Sequence, residues 1–255
     1  MSSNPSFRSR VLAGEWLSGT FINLGSALTA EIAARAGFDW IMLDYEHGPG
    51  SEETLLHQLQ AVSGFGVATV VRIAENESPR FKRALDLGAG GVMVPYVNNA
   101  EEARAAVASV RFPPRGIRGV SKFNRAAGFG QNFDDYYQHA HERLVTMAQI
   151  ETPEALENLD EIAAVDGVDV LFVGPLDLST NLGIQGQFDH PIFVEARQKV
   201  AIAARKAGKA AGILATAAAQ IPVLRAEGYT AMAFGSDGGA VTSGLQQSLS
   251  ALRAQ

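Results

Sequence analysis

The sequence predicts an α/β fold, a (β/α)8 TIM barrel, on three observations. The chain has 255 residues, close to the roughly 250 of one such barrel, so residues 1–255 are expected to form one domain. Eight apolar runs of strand length alternate with amphipathic stretches from end to end. The helical stretches close on glycine and turn at once into the next run, as in Leu87-Gly88-Ala89-Gly90-Gly91-Val92 and Glu227-Gly228-Tyr229-Thr230-Ala231. A glycine C-cap with a short turn is how a helix leads into the next parallel strand.

Strands are expected at residues 19–23, 40–43, 68–73, 91–94, 145–150, 168–173, 210–214 and 231–234. Most are continuous apolar runs, the pattern of strands buried on both faces. Helical stretches between them include 26–36, 52–63, 79–87 and 100–110. A doubly wound open sheet is the other architecture open to such a chain. It would usually carry a glycine-rich fingerprint after the first strand, and Asn23-Leu24-Gly25-Ser26 is not one. Two connections are long, 112–143 and 174–190, and long connections in a compact domain are usually functional or disordered. The second follows the sixth strand and belongs to the rim where barrel enzymes work. The first follows a helix.

Composition narrows the function classes. Hydrophobic residues make up 47% and charged residues 19% of the chain, which fits neither disorder nor a membrane span. No apolar stretch reaches the ~20 residues a bilayer needs, and the first ten residues carry no apolar core behind their arginines, unlike a signal peptide. There is no cysteine, which excludes disulfides, thiolate metal sites and a cysteine nucleophile and fits a cytoplasmic location. The net charge of −6 argues against a nucleic-acid partner, which wants a basic face. An anionic substrate would need a local cation against that global charge.

Active sites of barrels sit at the C-terminal ends of the strands. There the sequence places Asp44, Glu46 and His47, then Arg72, Pro95, Gln149 with Glu151, Gly174-Pro175 with Asp177, and Gly235-Ser236-Asp237. Glu151 and Asp177 lie 26 positions apart, about one strand–helix repeat, so they are expected side by side. Two adjacent acids at such a rim either hold a divalent cation or share a proton. Oxygen-only ligation would suit Mg²⁺, Mn²⁺ or Co²⁺ better than structural zinc. Glu151 could equally belong to a helix start, since Thr152 and Pro153 have the residue types of N-cap and N1. Spacing alone leaves both open.

Asp44 and His47 stand three apart. A carboxylate bonded to one imidazole nitrogen orients the ring and raises its basicity, which would make His47 a general base. An isolated Asp-x-x-His is more often a solvated loop pair. Arg72 ends an apolar strand, where it either pairs with a structural acid or binds an oxyanion. A Schiff-base aldolase needs a lysine at a strand's C-terminal end. Lys82, Lys199 and Lys206 fall in helical stretches, Lys122 in a loop, and Lys209 before the seventh strand, so imine chemistry is not expected.

Four motifs occur together and in order: Gly37-Phe38-Asp39-Trp40 through Asp44-Tyr45-Glu46-His47, Pro113-Pro114-Arg115-Gly116-Ile117-Arg118-Gly119, Gln149-Ile150-Glu151-Thr152, and Val173-Gly174-Pro175-Leu176-Asp177-Leu178-Ser179. They resemble the HpcH/HpaI family of metal-dependent, class II pyruvate aldolases, over nearly the whole chain. The resemblance implies a barrel whose last helix is exchanged between subunits, assembled as a hexamer, a trimer of dimers. It implies Glu151 and Asp177 as metal ligands, Arg72 on the pyruvate oxygen, and His47 with Asp44 as the pair that manages protons. It places Gln149 beside metal and substrate, and the backbone from Gly174 through Pro175 to Leu176 around the pyruvate carboxylate. Asp86 and Arg125 resemble positions that complete the site across a subunit boundary.

The implied reaction is reversible cleavage of 4-hydroxy-2-oxo acids to pyruvate and an aldehyde, with oxaloacetate decarboxylation as a side activity. Tyr45, Phe21-Ile22 and Leu176 depart from the common pattern near the substrate entrance and bear on the aldehyde. Two other functions are weighed against this one. An acyl-CoA lyase of the malyl-CoA or citryl-CoA type would need a basic channel for the nucleotide. A non-catalytic keto-acid-binding barrel would lack one or more of His47, Arg72, Glu151 and Asp177.

Overall fold

The structure is a computed structural model and describes residues 6–254. Eight strands, β1 (Leu17–Ile22), β2 (Trp40–Asp44), β3 (Ala68–Arg72), β4 (Gly91–Val94), β5 (Val145–Ile150), β6 (Val170–Val173), β7 (Ala210–Ala215) and β8 (Tyr229–Ser236), close into one barrel in sequence order. Every neighbouring pair is parallel, including β8 against β1. All eight C-terminal ends therefore gather at one rim.

The helices in chain order are α1 (Phe7–Leu12), α2 (Ala27–Ala36), α3 (Glu52–Ala61), α4 (Ser78–Asp86), α5 (Ala100–Val110), α6 (Phe133–Arg143), α7 (Pro153–Glu157) and α8 (Leu159–Ala163). After these come α9 (Pro175–Asn181), α10 (Pro191–Lys206), α11 (Ile221–Glu227) and α12 (Asp237–Arg253).

The expected (β/α)8 architecture is the observed one, and its departures have local causes. β6 begins at Val170, not residue 168, because Gly167 adopts φ 99° and Asp169 is drawn to Arg8. The 112–143 connection contains α6, whose inward face is built from Tyr136 and Tyr137 against Phe112. Only Ala140 of that helix is fully buried, so it lacks the aliphatic stripe that marks a helix in sequence. The 174–190 connection opens directly into α9, with Pro175 in its first turn.

An inner core fills the barrel and a larger outer core lies between sheet and helices. The floor of the barrel is aromatic. Trp40 meets Phe172 edge-on at 6.3 Å between centroids, and Phe7 of α1 packs on Trp40 at 6.4 Å. Pairs of this geometry contribute about 0.5–1.5 kcal/mol each beyond the area they bury. Gly19 lies under the Trp40 indole, where any Cβ would collide with the ring. α1 is tied down by Arg8, which donates from Nη2 and Nε to the buried Asp169 carboxylate at 2.8 and 3.0 Å.

At the other extreme, α12 leaves the barrel after β8 and buries none of its residues, leaving Val241, Leu245, Leu249 and Leu252 exposed. Among the described residues no helix is long and apolar enough to cross a membrane.

Candidate active site

Asp44 and Arg72 end neighbouring strands and are register partners. Arg72 donates from Nε and Nη2 to the two Asp44 oxygens at 3.0 and 2.7 Å, a bidentate, charge-assisted pair. The backbone N–H groups of Glu46 and His47 also donate to Asp44 Oδ1. Burial alone would raise the Asp44 carboxyl. The Arg72 bonds and charge, with those two amides, outweigh it and hold the group below its ordinary value. The Arg72 guanidinium is itself buried, 3.1 Å from Glu46 Oε2 and 5.3 Å from the centre of the Phe21 ring.

The expected Asp44–His47 dyad is therefore not formed side chain to side chain. Asp44 bonds the His47 backbone and spends its oxygens on Arg72. The acid facing the exposed imidazole is Glu46, whose Oε2 lies 3.9 Å from Nε2. Burial raises the Glu46 carboxyl, Arg72 and His47 pull it back, and the Asp44 and Asp177 charges raise it further. Its buried Oε2 accepts no hydrogen bond.

Glu151 follows β5 and is 1% exposed. It caps no helix. Thr152 is the N-cap of α7, accepting from the Ala155 N–H, and Pro153 is at N1. The Glu151 oxygens instead accept from Gln149 Nε2 at 2.6 Å and from the Tyr96 backbone N–H at 3.1 Å. Burial is the main force on this carboxyl and pushes it up to about 8; the Tyr96 N–H and Arg72 oppose it, while the Asp177 and Glu46 charges add to it. Asp177, in the first turn of α9, accepts at Oδ1 from the Tyr96 hydroxyl at 3.2 Å. Gly174 comes so close to Glu151 that a Cβ there would collide with Oε1, so only glycine lets the two strand ends approach.

A cavity of about 690 Å³ opens at the C-terminal rim. Its polar lining is Asn23, Asp44, His47, Arg72, Gln149, Asp177, Thr216 and Ser236. Gly174, Pro175 and Leu176 edge it, and Phe21, Phe172, Leu214 and Phe234 form much of the wall. Arg72 is the one Lys or Arg side chain in that lining. Lys209 immediately precedes β7, at the opposite rim.

Asp86 and Arg125 do not reach this cavity. Asp86 ends α4 and accepts from Arg118 Nη2 at 2.6 Å. Arg125 donates to the Leu87 and Leu59 carbonyls. Asp237, also at the expected rim, receives the Asn23 N–H and the Thr29 hydroxyl and ties α12 to β1. Tyr96 is the contributor that the sequence does not signal. It stands two residues past β4, and nothing in its neighbours marks it.

The residues present fit a divalent cation by their donor chemistry. The site offers two carboxylates, and the buried Gln149 Oε1 has no hydrogen-bond partner. All of these are oxygen donors of the kind hard cations prefer. No cluster of three or more His, Cys, Asp or Glu side chains forms a closed cage among the described residues, so water or substrate would complete the coordination.

A closed parallel barrel with charge-coupled acids and a buried arginine beside a cavity at its C-terminal rim defines a barrel enzyme, and its relatives make it an aldolase, a carbon–carbon lyase. The chain belongs to the HpcH/HpaI aldolase/citrate lyase family, whose model matches residues 17–243. It is 45% identical over 208 residues to a pyruvate aldolase from Rhizobium etli, covering 82% of each chain. It is 42% identical over 209 residues to a 4-hydroxy-2-oxo-heptane-1,7-dioate aldolase from Escherichia coli, covering 82% of this chain and 80% of that one. Its fold matches the crystal structure of an HpcH/HpaI aldolase/citrate lyase family protein from Burkholderia cenocepacia with a TM-score of 0.92. That pair is 36% identical and covers 97% of this chain and 98% of the other.

Proposed function

We propose that the protein is a metal-dependent aldolase that reversibly cleaves 4-hydroxy-2-oxo acids to pyruvate and an aldehyde. The observation that carries this is the meeting of Asp177 and Arg72 on one rim cavity with no lysine in its lining, while the buried Glu151 feels the charge of both. Glu151 and Asp177 would hold the cation, Mg²⁺, Mn²⁺ or Co²⁺, with Gln149 beside it. When bound, such a cation supplies Lewis-acid polarisation of the keto oxygen.

The chain's own groups do the rest. Arg72 donates to the keto oxygen as negative charge develops there, and its pairing with Asp44 and Glu46 fixes it in place beforehand. The backbone from Gly174 to Leu176 receives the substrate carboxylate. His47, with Glu46 rather than Asp44 at its ring, takes the C4 hydroxyl proton. The C3–C4 electron pair moves to the keto oxygen as an enolate, the aldehyde departs, and a proton returns to C3 to give pyruvate. The same enolate would arise by loss of CO₂ from oxaloacetate. A nucleotide-bearing acyl-CoA is less well served, because Arg72 is the cavity's one permanent cation.

The unpartnered apolar stripe on α12 supports exchange of that helix between subunits in a hexamer, a trimer of dimers. Asp86 and Arg125, remote from their own cavity, would then serve a neighbour's. The absence of cysteine supports a cytoplasmic location.

The test is exchange of the pyruvate methyl protons in D₂O, followed by ¹H NMR. Exchange is expected with Mg²⁺ or Mn²⁺ present, to vanish with a chelator, and to return when the metal is restored. Exchange that persists in chelator would sink the reading.

A further inference from the structure

We propose that Tyr96 is a positioning residue that sets Glu151 and Asp177 at the spacing a divalent cation requires; this rests on the metal-pair reading above. The observation is that one residue grips both acids from a third strand end. Its backbone N–H donates to Glu151 Oε2 at 3.1 Å, and its phenol hydroxyl donates to Asp177 Oδ1 at 3.2 Å. Each bond occupies one oxygen and orients the carboxylate that carries it. Asp177 Oδ2 is left for a cation.

The backbone geometry singles out the same residue. Tyr96 has φ 50°, in the left-handed region that bulky side chains rarely adopt. Such a conformation persists only where its surroundings impose it, and here they do. The Val97 N–H donates to the Gln149 carbonyl, the Thr152 hydroxyl donates to Asn98 Oδ1, and Asn158 Nδ2 donates to the Asn98 carbonyl. Asn98 Nδ2 in turn donates to the Tyr96 carbonyl. The turn after β4 is thus bolted to the residues on both sides of Glu151. With the backbone held in this way, the side chain reaches Asp177 while the N–H meets Glu151.

Fold stability alone gives little reason for this arrangement, because the Tyr96 side chain is partly exposed and takes no place in either core. Groups that hydrogen-bond metal ligands orient them, and their loss typically costs about 10–100-fold in metal affinity.

The experiment is calorimetric titration of Mn²⁺ into the metal-free full-length chain, for wild type, Tyr96→Phe and Glu151→Gln, with melting temperatures of all three. Tyr96→Phe keeps the ring and the N–H and deletes only the bond to Asp177. It is expected to bind Mn²⁺ about 10–100-fold more weakly with an unchanged melting temperature, and to recover most of its methyl-exchange rate at saturating metal. Unchanged Mn²⁺ affinity in Tyr96→Phe overturns the proposal, whether or not its melting temperature falls, because a purely structural role would move stability alone. Wild-type protein that takes up no Mn²⁺, or takes it up no better than Glu151→Gln, brings down the metal-pair reading and this inference with it.

Discussion

Glu151→Gln is expected to lower the metal-stimulated exchange of pyruvate methyl protons by about 10³-fold, roughly 4 kcal/mol of barrier. Glutamine is nearly isosteric; its oxygen can accept the Tyr96 N–H and its amide can donate to Gln149 Oε1 once the Gln149 amide turns over, so the loss would come mainly from the missing negative charge. The same substitution carries a stability signature of known sign. Burial first, then the nearby acids, push the folded Glu151 carboxyl up to about 8 from an ordinary 4.5, against the Tyr96 N–H and Arg72.

A carboxyl raised on folding binds its proton more tightly in the native state. Its contribution to stability is therefore full below about pH 4.5 and lost as pH rises through about 8. Glutamine never ionises and escapes that loss. The melting temperature of the metal-free variant should thus gain on that of metal-free wild type between pH 5 and pH 8.5, read by scanning calorimetry. A constant gap over that range would mean that Glu151 is already ionised at the acid end.

Arg72 is the second position of large effect, and two substitutions separate its roles. Arg72→Lys keeps the charge and loses the planar fork that meets both Asp44 oxygens. It is expected to reduce kcat/KM by about 10²–10³-fold, as removal of an oxyanion donor does, with a modest change in urea midpoint. Arg72→Ala leaves Asp44 and Glu46 buried without their cation. Removing one partner of a buried pair costs about 3–5 kcal/mol, so this variant is expected to lose stability as well as activity. If Arg72→Lys retains wild-type turnover, the arginine is a structural tie and the oxyanion role falls.

The barrel was legible because its strands are buried on both faces and read as unbroken apolar runs. β4 and β5 match their expected limits residue for residue. The helix α6 was not legible, because its packing face is phenolic where a helix usually shows leucine and valine. In the site, position was readable and partnership was not. Asp44, Arg72, Glu151 and Asp177 could be placed at strand ends by counting. The acid that serves the His47 ring could not, because closeness in sequence favoured Asp44 and the barrel register gave Asp44 to Arg72 instead. Tyr96 was invisible for a related reason, since it acts through an unusual φ and a backbone amide and neither leaves a mark in residue type.

Because Phe7, Trp40 and Phe172 seal one mouth of the barrel, the half of the molecule that must fold and the half that must react are largely separate sets of side chains. Changes in the loops above β1, β7 and β8 can therefore reshape the cavity while the aromatic floor stays as it is. Phe172 belongs to both, touching Trp40 beneath and the cavity above. It is where drift in the foundations would first be felt in the chemistry.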